Sequence, residues 1–314
     1  MSKYAKLFQL IEKAETITIF SHIFPDGDAI GSLVGLKETI KASFPNKSVF
    51  ALGTNVDEFV PLVGKLDVVS DEVIASSFAI IVDVANKDRV EDQRYLLAKS
   101  TFLIDHHLFV ETFTNETIID NDKVATCEII AEFIENENLN ISPLGATALL
   151  LGILTDSGRY LYNPTGAQTL HLSAQLIKKG ADLSKINYEL SKKDINKVRF
   201  RGYLLTNFKT KDGVCYIKIS QSKFKHFNID ASDMSSYVNH LGNIKGYPCW
   251  ATFAEDIHGK IYVELRSRNI NVNQVALKFG GGGHLCASGC RLESFKDVPK
   301  VINELIKAIK GTKA

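Results

Sequence analysis

The sequence lacks a long apolar run, a cysteine framework and an excess of charge. No apolar stretch approaches the ~18 residues that a membrane-spanning helix needs, so we expect no membrane association. The five cysteines are scattered and odd in number, which argues against a disulfide framework and predicts a reducing, cytoplasmic setting. Lysine and arginine total 37 against 36 aspartate and glutamate. This balance excludes strong attraction to a long nucleic-acid duplex and favours a small substrate.

The remaining composition is that of an ordinary globular protein with room for two domains. The chain has 314 residues, of which 45% are hydrophobic and 23% charged. From Thr16 to about Ser157, short apolar runs alternate with amphipathic helical stretches, which indicates an α/β fold with a mostly parallel sheet flanked by helices. From about Gly213, strands separated as in hairpins and a closing helix predict a smaller α/β domain. The strands predicted for the first sheet are Ile17 to Phe20, Val49 to Leu52, Ala79 to Val82, Phe102 to Ile104 and Thr117 to Ile119.

One segment, residues 22–28, connects the first of these strands to a helix and contains three candidate metal ligands. They are His22, Asp26 and Asp28. Open α/β sheets bind ligands where strands lead into helices. The two carboxylates would repel each other, and a cation between them would relieve that repulsion. An acidic turn that only caps the helix is the alternative interpretation.

Two further predicted strands end in acidic residues or histidine. Asp83 follows a wholly apolar strand, and Asp105, His106 and His107 follow the next one. If the strands are parallel, these side chains reach the same edge of the sheet as residues 22–28. A single aspartate after a strand is commonly a turn or cap residue. Two histidines after an aspartate favour a metal site, because a carboxylate can fix the tautomer of a ligating imidazole.

A fourth acidic position, Asp156, ends a very apolar helix that must be buried. A buried carboxylate is costly unless it is paired, hydrogen-bonded or bound to a metal. An aspartate at a helix C-terminus is also opposed by the helix dipole. Such a local conflict is expected at functional sites.

The second half of the chain contains a run of four glycines, residues 280–283, followed by His284. Exposed backbone amides in such a run suit a phosphate or a nucleotide, although glycine runs are also common in flexible linkers. Arg266 ends a preceding strand, and guanidinium groups match phosphate oxygens well. We interpret these residues as one binding surface.

In their order and spacing, these residues resemble the DHH phosphoesterase superfamily with its DHH-associated C-terminal domain, over essentially the whole chain. Within it the chain is similar to the NrnA group of bifunctional oligoribonucleases and pAp phosphatases, in length, in layout and in residues 83–86 and 155–158. The resemblance implies a catalytic DHH domain over residues 1–190, a helical connector over 191–210 and a DHH-associated substrate-binding domain over 211–314.

The resemblance also implies a two-metal site, usually with manganese, and with Mg²⁺ or Co²⁺ as alternatives. One ion would be bound by His22, Asp26 and Asp83, and the other by Asp28, Asp83, His106 and Asp156. Asp105 would support a neighbouring group, and His107 would face the substrate phosphate, so that these two and Asp83 form the catalytic set. Substrate would be held by Arg266, Gly280, Gly281, Gly282, Gly283, His284 and Ser288.

The activity implied by the resemblance is hydrolysis of short oligoribonucleotides (nanoRNA) to mononucleotides, of pAp to AMP, or of both. The partners would be short single-stranded RNA or small nucleotides, and a homodimer is left open. Within the superfamily, the alternatives are a phosphodiesterase for pApA or cyclic di-AMP and an inorganic pyrophosphatase. A nucleotide- or RNA-binding protein on an inactive phosphoesterase scaffold is the non-enzyme alternative.

Overall fold

The computed structural model describes residues 2–162 and 164–311, and these residues divide into two units between Lys192 and Lys193. The predicted α/β class is confirmed in both. Within the described residues, no helix is both long and apolar enough to cross a lipid bilayer.

In the described part of the first unit, five parallel strands form a sheet in the order β2-β1-β3-β4-β5. All five predicted strands are present, with small shifts at their ends. The central strand β3 is buried along its whole length, which explains its uninterrupted apolar sequence. Its neighbours are β1 and β4, so the carboxyl ends of these three strands lie side by side. The strands are β1 Thr16–Phe20, β2 Ser48–Ala51, β3 Phe78–Val82, β4 Ser100–Asp105 and β5 Glu116–Ile119.

Helices cover this sheet, and two of them, α2 and α6, make the densest contact of the unit. Glycines permit this close approach: a Cβ atom at Gly31 of α2 would lie 2.4 Å from the carbonyl oxygen of Ala148 in α6. Both helices are buried over most of their length. The helices are α1 Ala5–Lys13, α2 Gly27–Ser43, α3 Val60–Val63, α4 Asp71–Ser76, α5 Thr126–Asn136, α6 Pro143–Asp156, α7 Ala167–Lys178 and α8 Leu183–Ser191.

The second unit is built on a mixed sheet in the order β10-β11-β9-β8-β7-β6, in which β7 and β8 are parallel. Its first helix, α9, buries Phe200 and Leu204 in a cluster with Phe224 and Val238 of the same unit. The separate connector over residues 191–210 stays a prediction. The elements are α9 Ile195–Asn207, β6 Lys209–Lys211, β7 Val214–Ile219, α10 Gln221–Phe227, α11 Met234–Tyr237, β8 Cys249–Glu255, β9 Ile261–Ser267, α12 Asn273–Leu277, β10 Gly282–His284, β11 Ala287–Leu292 and α13 Val298–Gly311.

Two glycine-to-alanine substitutions, one in α2 and one in α9, should have opposite effects on the free energy of unfolding. Gly31→Ala should lower the free energy of unfolding by about 1–3 kcal/mol, because the new methyl group meets the backbone of α6. Gly202→Ala in α9 is the matched control, since a Cβ atom there meets nothing within 4 Å. It should raise the free energy of unfolding by about 0.5–1 kcal/mol. Denaturant unfolding followed by circular dichroism measures both, and a Gly31→Ala variant as stable as the wild type would contradict the packing.

Candidate metal centre

Three adjacent strand ends and two helix ends deliver the predicted ligands to one place in the first unit. His22 lies just beyond β1, Asp83 directly follows β3, and His106 directly follows β4. Asp26 caps the N-terminus of α2, where its Oδ1 accepts hydrogen bonds from the backbone amides of the first turn. Asp156 is the last residue of α6. The parallel order of the strands therefore brings together residues that are far apart in the sequence.

The first group of ligand atoms belongs to His22, Asp26 and Asp83, which lie close enough to hold one ion. The Nε2 atom of His22 lies 3.5 Å from Oδ2 of Asp83 and 3.9 Å from Oδ1 of Asp26. Its Nδ1 donates a hydrogen bond to the carbonyl oxygen of Ile23 at 2.8 Å. A carbonyl only accepts, so Nδ1 carries the hydrogen and Nε2 can present a lone pair to a metal.

The second group contains His106, Asp28 and Asp156. The Nε2 atom of His106 lies 3.4 Å from Oδ2 of Asp156, 3.8 Å from Oδ2 of Asp28 and 3.6 Å from Oδ1 of Asp83. Its Nδ1 donates to the carbonyl oxygen of Lys123 at 3.4 Å, so this imidazole also presents Nε2 to the carboxylates. Both imidazoles thus direct the same atom at the same acidic cluster.

Asp83 lies between the two groups. It is 3% exposed, and its two carboxylate oxygens face different histidines, Oδ2 facing His22 and Oδ1 facing His106. The side-chain hydroxyl of Thr126 donates to Oδ1 at 3.3 Å. Its backbone adopts φ = 59°, a left-handed conformation that aspartate tolerates better than most residues. The bridging role that the resemblance implied stays a prediction.

Asp28 is fully buried, and the N-terminus of α5 holds its carboxylate. Its Oδ2 accepts from the backbone amide of Thr126 at 2.7 Å, and its Oδ1 accepts from that of Cys127 at 2.9 Å. The free amides and the dipole at a helix N-terminus stabilise an anion. Burial and the nearby Asp83 and Asp156 nevertheless raise the pKa of Asp28 well above its usual value.

Burial and neighbouring charges also shift the pKa values of other groups at this centre. Burial and the charges of Asp26 and Asp83 raise the pKa of Asp156 to about 7. Burial alone would lower the pKa of His22, but the nearby carboxylates of Asp26 and Asp83 outweigh this and raise that pKa to about 10. The pKa of the Cys127 thiol also rises, mainly through burial. The thiol therefore stays protonated and does not compete as a ligand.

His107 differs from the other two histidines. Its Nδ1 donates to Oδ1 of Asp105 at 2.7 Å, and this hydrogen bond raises the pKa of His107. The carboxylate of Asp105 is almost fully buried, whereas the side chain of His107 is 46% exposed. The imidazole is thus anchored at one nitrogen and open to solvent at its outer side.

The chemistry of this donor set fits divalent cations. Its members are carboxylate oxygens and imidazole nitrogens, and thiolates are absent from the described ligand groups. Oxygen and imidazole donors suit Mn²⁺, and Mg²⁺ prefers oxygen. The repulsion among the carboxylates is the physical feature that a cation would relieve.

The predicted substrate residues lie in the second unit, around the hairpin of β10 and β11. Ala287 pairs with His284 on one side and with Arg266 on the other, so these side chains are neighbours. Ser288 is buried and donates to the carbonyl oxygen of His284 at 2.7 Å. The Nη1 atom of Arg266 lies 2.9 Å from the carboxylate of Glu264.

The glycine run is more ordered than an open amide loop. Gly282 and Gly283 belong to β10. A Cβ atom at Gly281 would lie 2.1 Å from the carbonyl oxygen of Gly289, and Gly280 adopts φ = 71°. Close backbone packing therefore requires at least part of the run to be glycine.

Known proteins match the chain along almost its whole length. Residues 16–153 match the DHH family, N-terminal domain, and residues 211–312 match the DHHA1 domain. The chain is 35% identical to the bifunctional oligoribonuclease and PAP phosphatase NrnA of Mycoplasma genitalium, over 95% of each chain. The chain belongs to the DHH family.

Other DHH relatives are also similar to this chain over nearly its whole length. The NrnA protein of Bacillus subtilis, also described as a bifunctional oligoribonuclease and PAP phosphatase, is 30% identical over 96% of both chains. The crystal structure of an exopolyphosphatase-related protein from Bacteroides fragilis superimposes with a TM-score of 0.77 at 26% identity, covering 98% of this chain and 96% of that one. These likenesses extend across both units of the chain.

Sequence reasoning missed two contributors to this DHH site. One is the pair of backbone amides at the start of α5 that holds Asp28, which leaves no side-chain signature. The other is Arg89, which lines a cavity of about 160 Å³ at the centre. It ends a short 3-10 helix, Lys87–Arg89, and its distance of six residues from Asp83 carries no recognisable signal. The other lining residues are His22, Asp26, Asp83, Ala85, His107 and Asp156.

The raised pKa values predict that metal binding displaces protons. Without a cation, Asp156 binds a proton below pH about 7, and His22 holds one up to about 10. A metal needs both groups deprotonated, so its apparent affinity should rise with pH, about tenfold per pH unit for each displaced proton. Titration calorimetry with Mn²⁺ in buffers of different protonation enthalpy measures how many protons are released when the metal binds.

The control for this measurement is His22→Gln at pH about 8, which is above the pKa of Asp156, about 7, and below that of His22, about 10. This variant should release about one proton fewer than the wild type when it binds Mn²⁺. Equal proton release by the two proteins would show that His22 does not give up its proton to a metal.

Proposed function

We propose that this protein is a two-metal-dependent phosphoesterase that hydrolyses short oligoribonucleotides to mononucleotides and pAp to AMP. The observation that carries the proposal is the convergence of two ligand groups on Asp83. The full-length relatives described as bifunctional oligoribonucleases and PAP phosphatases support the substrate class. We infer manganese as the metal and a cytoplasmic setting. That the protein does not bind long duplexes stays a prediction, and a homodimer stays an open alternative.

The residues that would hold the metals follow from the two groups. His22, Asp26 and Asp83 would bind one ion, and Asp28, Asp83, His106 and Asp156 the other. When bound, a pair of such ions activates water as a nucleophile and neutralises the charge that develops on the phosphoryl oxygens. Carbonyl oxygens of Ile23 and Lys123 fix the tautomers of the two ligating imidazoles. Two backbone amides at the N-terminus of α5 hold the carboxyl group of Asp28 in place.

His107 would act on the leaving group. Asp105 accepts the hydrogen of its Nδ1, which orients the ring and favours its protonated form. The Nε2 hydrogen could then be donated to the oxygen that leaves when the phosphoester bond breaks. Asp105 is suited to this task because its buried carboxylate stabilises the imidazolium of His107 without itself contacting the substrate.

The second unit would bind the nucleotide. Arg266, His284, Ser288 and the glycine run, residues 280–283, are gathered at one end of its sheet. Arg266 forms an ion pair with Glu264, so one N–H edge of its guanidinium is already occupied. Backbone amides of the run that are not used by β10 would supply donors for phosphate oxygens.

A phosphodiesterase for pApA or cyclic di-AMP is the second candidate. The chain is 23% identical to the cyclic-di-AMP phosphodiesterase PdeA of Listeria monocytogenes, over 96% of this chain but 48% of that protein. The ligand groups of the metal centre do not distinguish the two activities, because both break a phosphoester bond.

The test is turnover with Mn²⁺ on pAp, a two-nucleotide RNA, a five-nucleotide RNA, pApA and cyclic di-AMP. We expect mononucleotides from the short RNAs and AMP from pAp, and loss of at least about 10³-fold in Asp83→Ala because both groups lose their shared ligand. Exclusive cleavage of pApA or cyclic di-AMP would support the second candidate. No turnover of any substrate by a folded, metal-loaded wild type would contradict the enzymatic proposal.

A further inference from the structure

We propose that Arg89 is a specificity-determining residue whose guanidinium binds the two terminal oxygens of a phosphomonoester at the metal centre. The inference rests on the proposed function and deepens it: Arg89 would serve the pAp phosphatase activity more than the cleavage of RNA diesters.

Backbone hydrogen bonds place Arg89 directly beside the first ligand group. The amide of Ile23 donates to the carbonyl oxygen of Arg89 at 2.8 Å, and His22 forms an antiparallel bridge with Val90. The amide of Glu91 donates to the carbonyl oxygen of Ser21 at 2.9 Å. The two segments therefore run side by side, so the position of Arg89 is tied to that of the ligand His22.

The side chain of Arg89 is exposed and lines the cavity of the centre. Across residues 2–162 and 164–311, its guanidinium has neither an ion pair nor a hydrogen-bond partner. Arg94, only five residues later, is instead engaged by the carboxylates of both Asp92 and Asp71. The carboxylates that line the cavity face the histidines and not Arg89. Its charge is consequently available to an anion that enters the cavity.

The charge and the number of terminal oxygens of a phosphate ester determine how strongly Arg89 would bind it. A phosphomonoester has three terminal oxygens and carries close to two negative charges near neutral pH, whereas a diester has two terminal oxygens and one charge. If one terminal oxygen lies between the metals, a monoester still offers two oxygens to a planar guanidinium, and a diester offers one. Arginine binds two such oxygens at once through its fork of N–H donors.

The experiment compares kcat/KM for pAp and for a two-nucleotide RNA in wild type, Arg89→Ala, Arg89→Lys and Lys87→Ala. Arg89→Ala should lower the value for pAp about 10- to 100-fold more than the value for RNA. Arg89→Lys should recover only part of the loss, because lysine keeps the charge without the fork. Lys87→Ala removes an equal charge two residues away, on a side chain that pairs with Glu111 outside the cavity, and should leave the ratio unchanged.

Inhibition by inorganic phosphate gives a second readout. Its inhibition constant against RNA cleavage should rise at least about tenfold in Arg89→Ala and stay constant in Lys87→Ala, with unchanged Mn²⁺ content. If kcat/KM of a metal-loaded Arg89→Ala protein fell equally for both substrates, or did not fall, the inference would be overturned. Turnover by the wild type would still support the proposed function in that case. A wild type that cleaves the short RNA but not pAp would overturn the inference and leave only the oligoribonuclease part of the proposed function.

Discussion

Repulsion among buried carboxylates is the constraint on which the site depends. Asp28, Asp83 and Asp156 lie around the Nε2 atom of one histidine, His106. Burial, together with the charges of neighbouring carboxylates, raises the pKa of Asp28 and Asp156. The fold offsets part of this cost with the N-terminus of α5, which donates two amides to Asp28. A cation bound between the carboxylates would offset the remainder.

The histidines around these carboxylates have two distinct arrangements. His22 and His106 donate from Nδ1 to backbone carbonyls, which leaves Nε2 for a metal. His107 donates from Nδ1 to Asp105, which favours the protonated ring and suits proton donation. Two residues adjacent in the sequence, His106 and His107, therefore have different hydrogen-bond acceptors. This difference supports the proposal that His106 binds a metal and His107 assists the leaving group.

The sequence alone could predict the parts of this site that follow from strand ends. The apolar run before Asp83 and the one before Asp105 define buried parallel strands, so the residues after them had to meet at one edge. It could not predict the contact of Asp28 with the amides of α5, because those donors belong to the backbone of a distant segment. Nor could it predict that the glycine run forms part of β10, since close packing of Gly281 against Gly289 arises only from the folded hairpin.

The central claim is that Asp83 is shared by two bound cations. Crystals of the wild type grown with Mn²⁺, with diffraction recorded at the manganese absorption edge, test it most directly. We expect two anomalous peaks per chain, both within bonding distance of Asp83, one also bound by His22 and the other by His106. A single peak per chain, or two peaks of which one has no bond to Asp83, would contradict it.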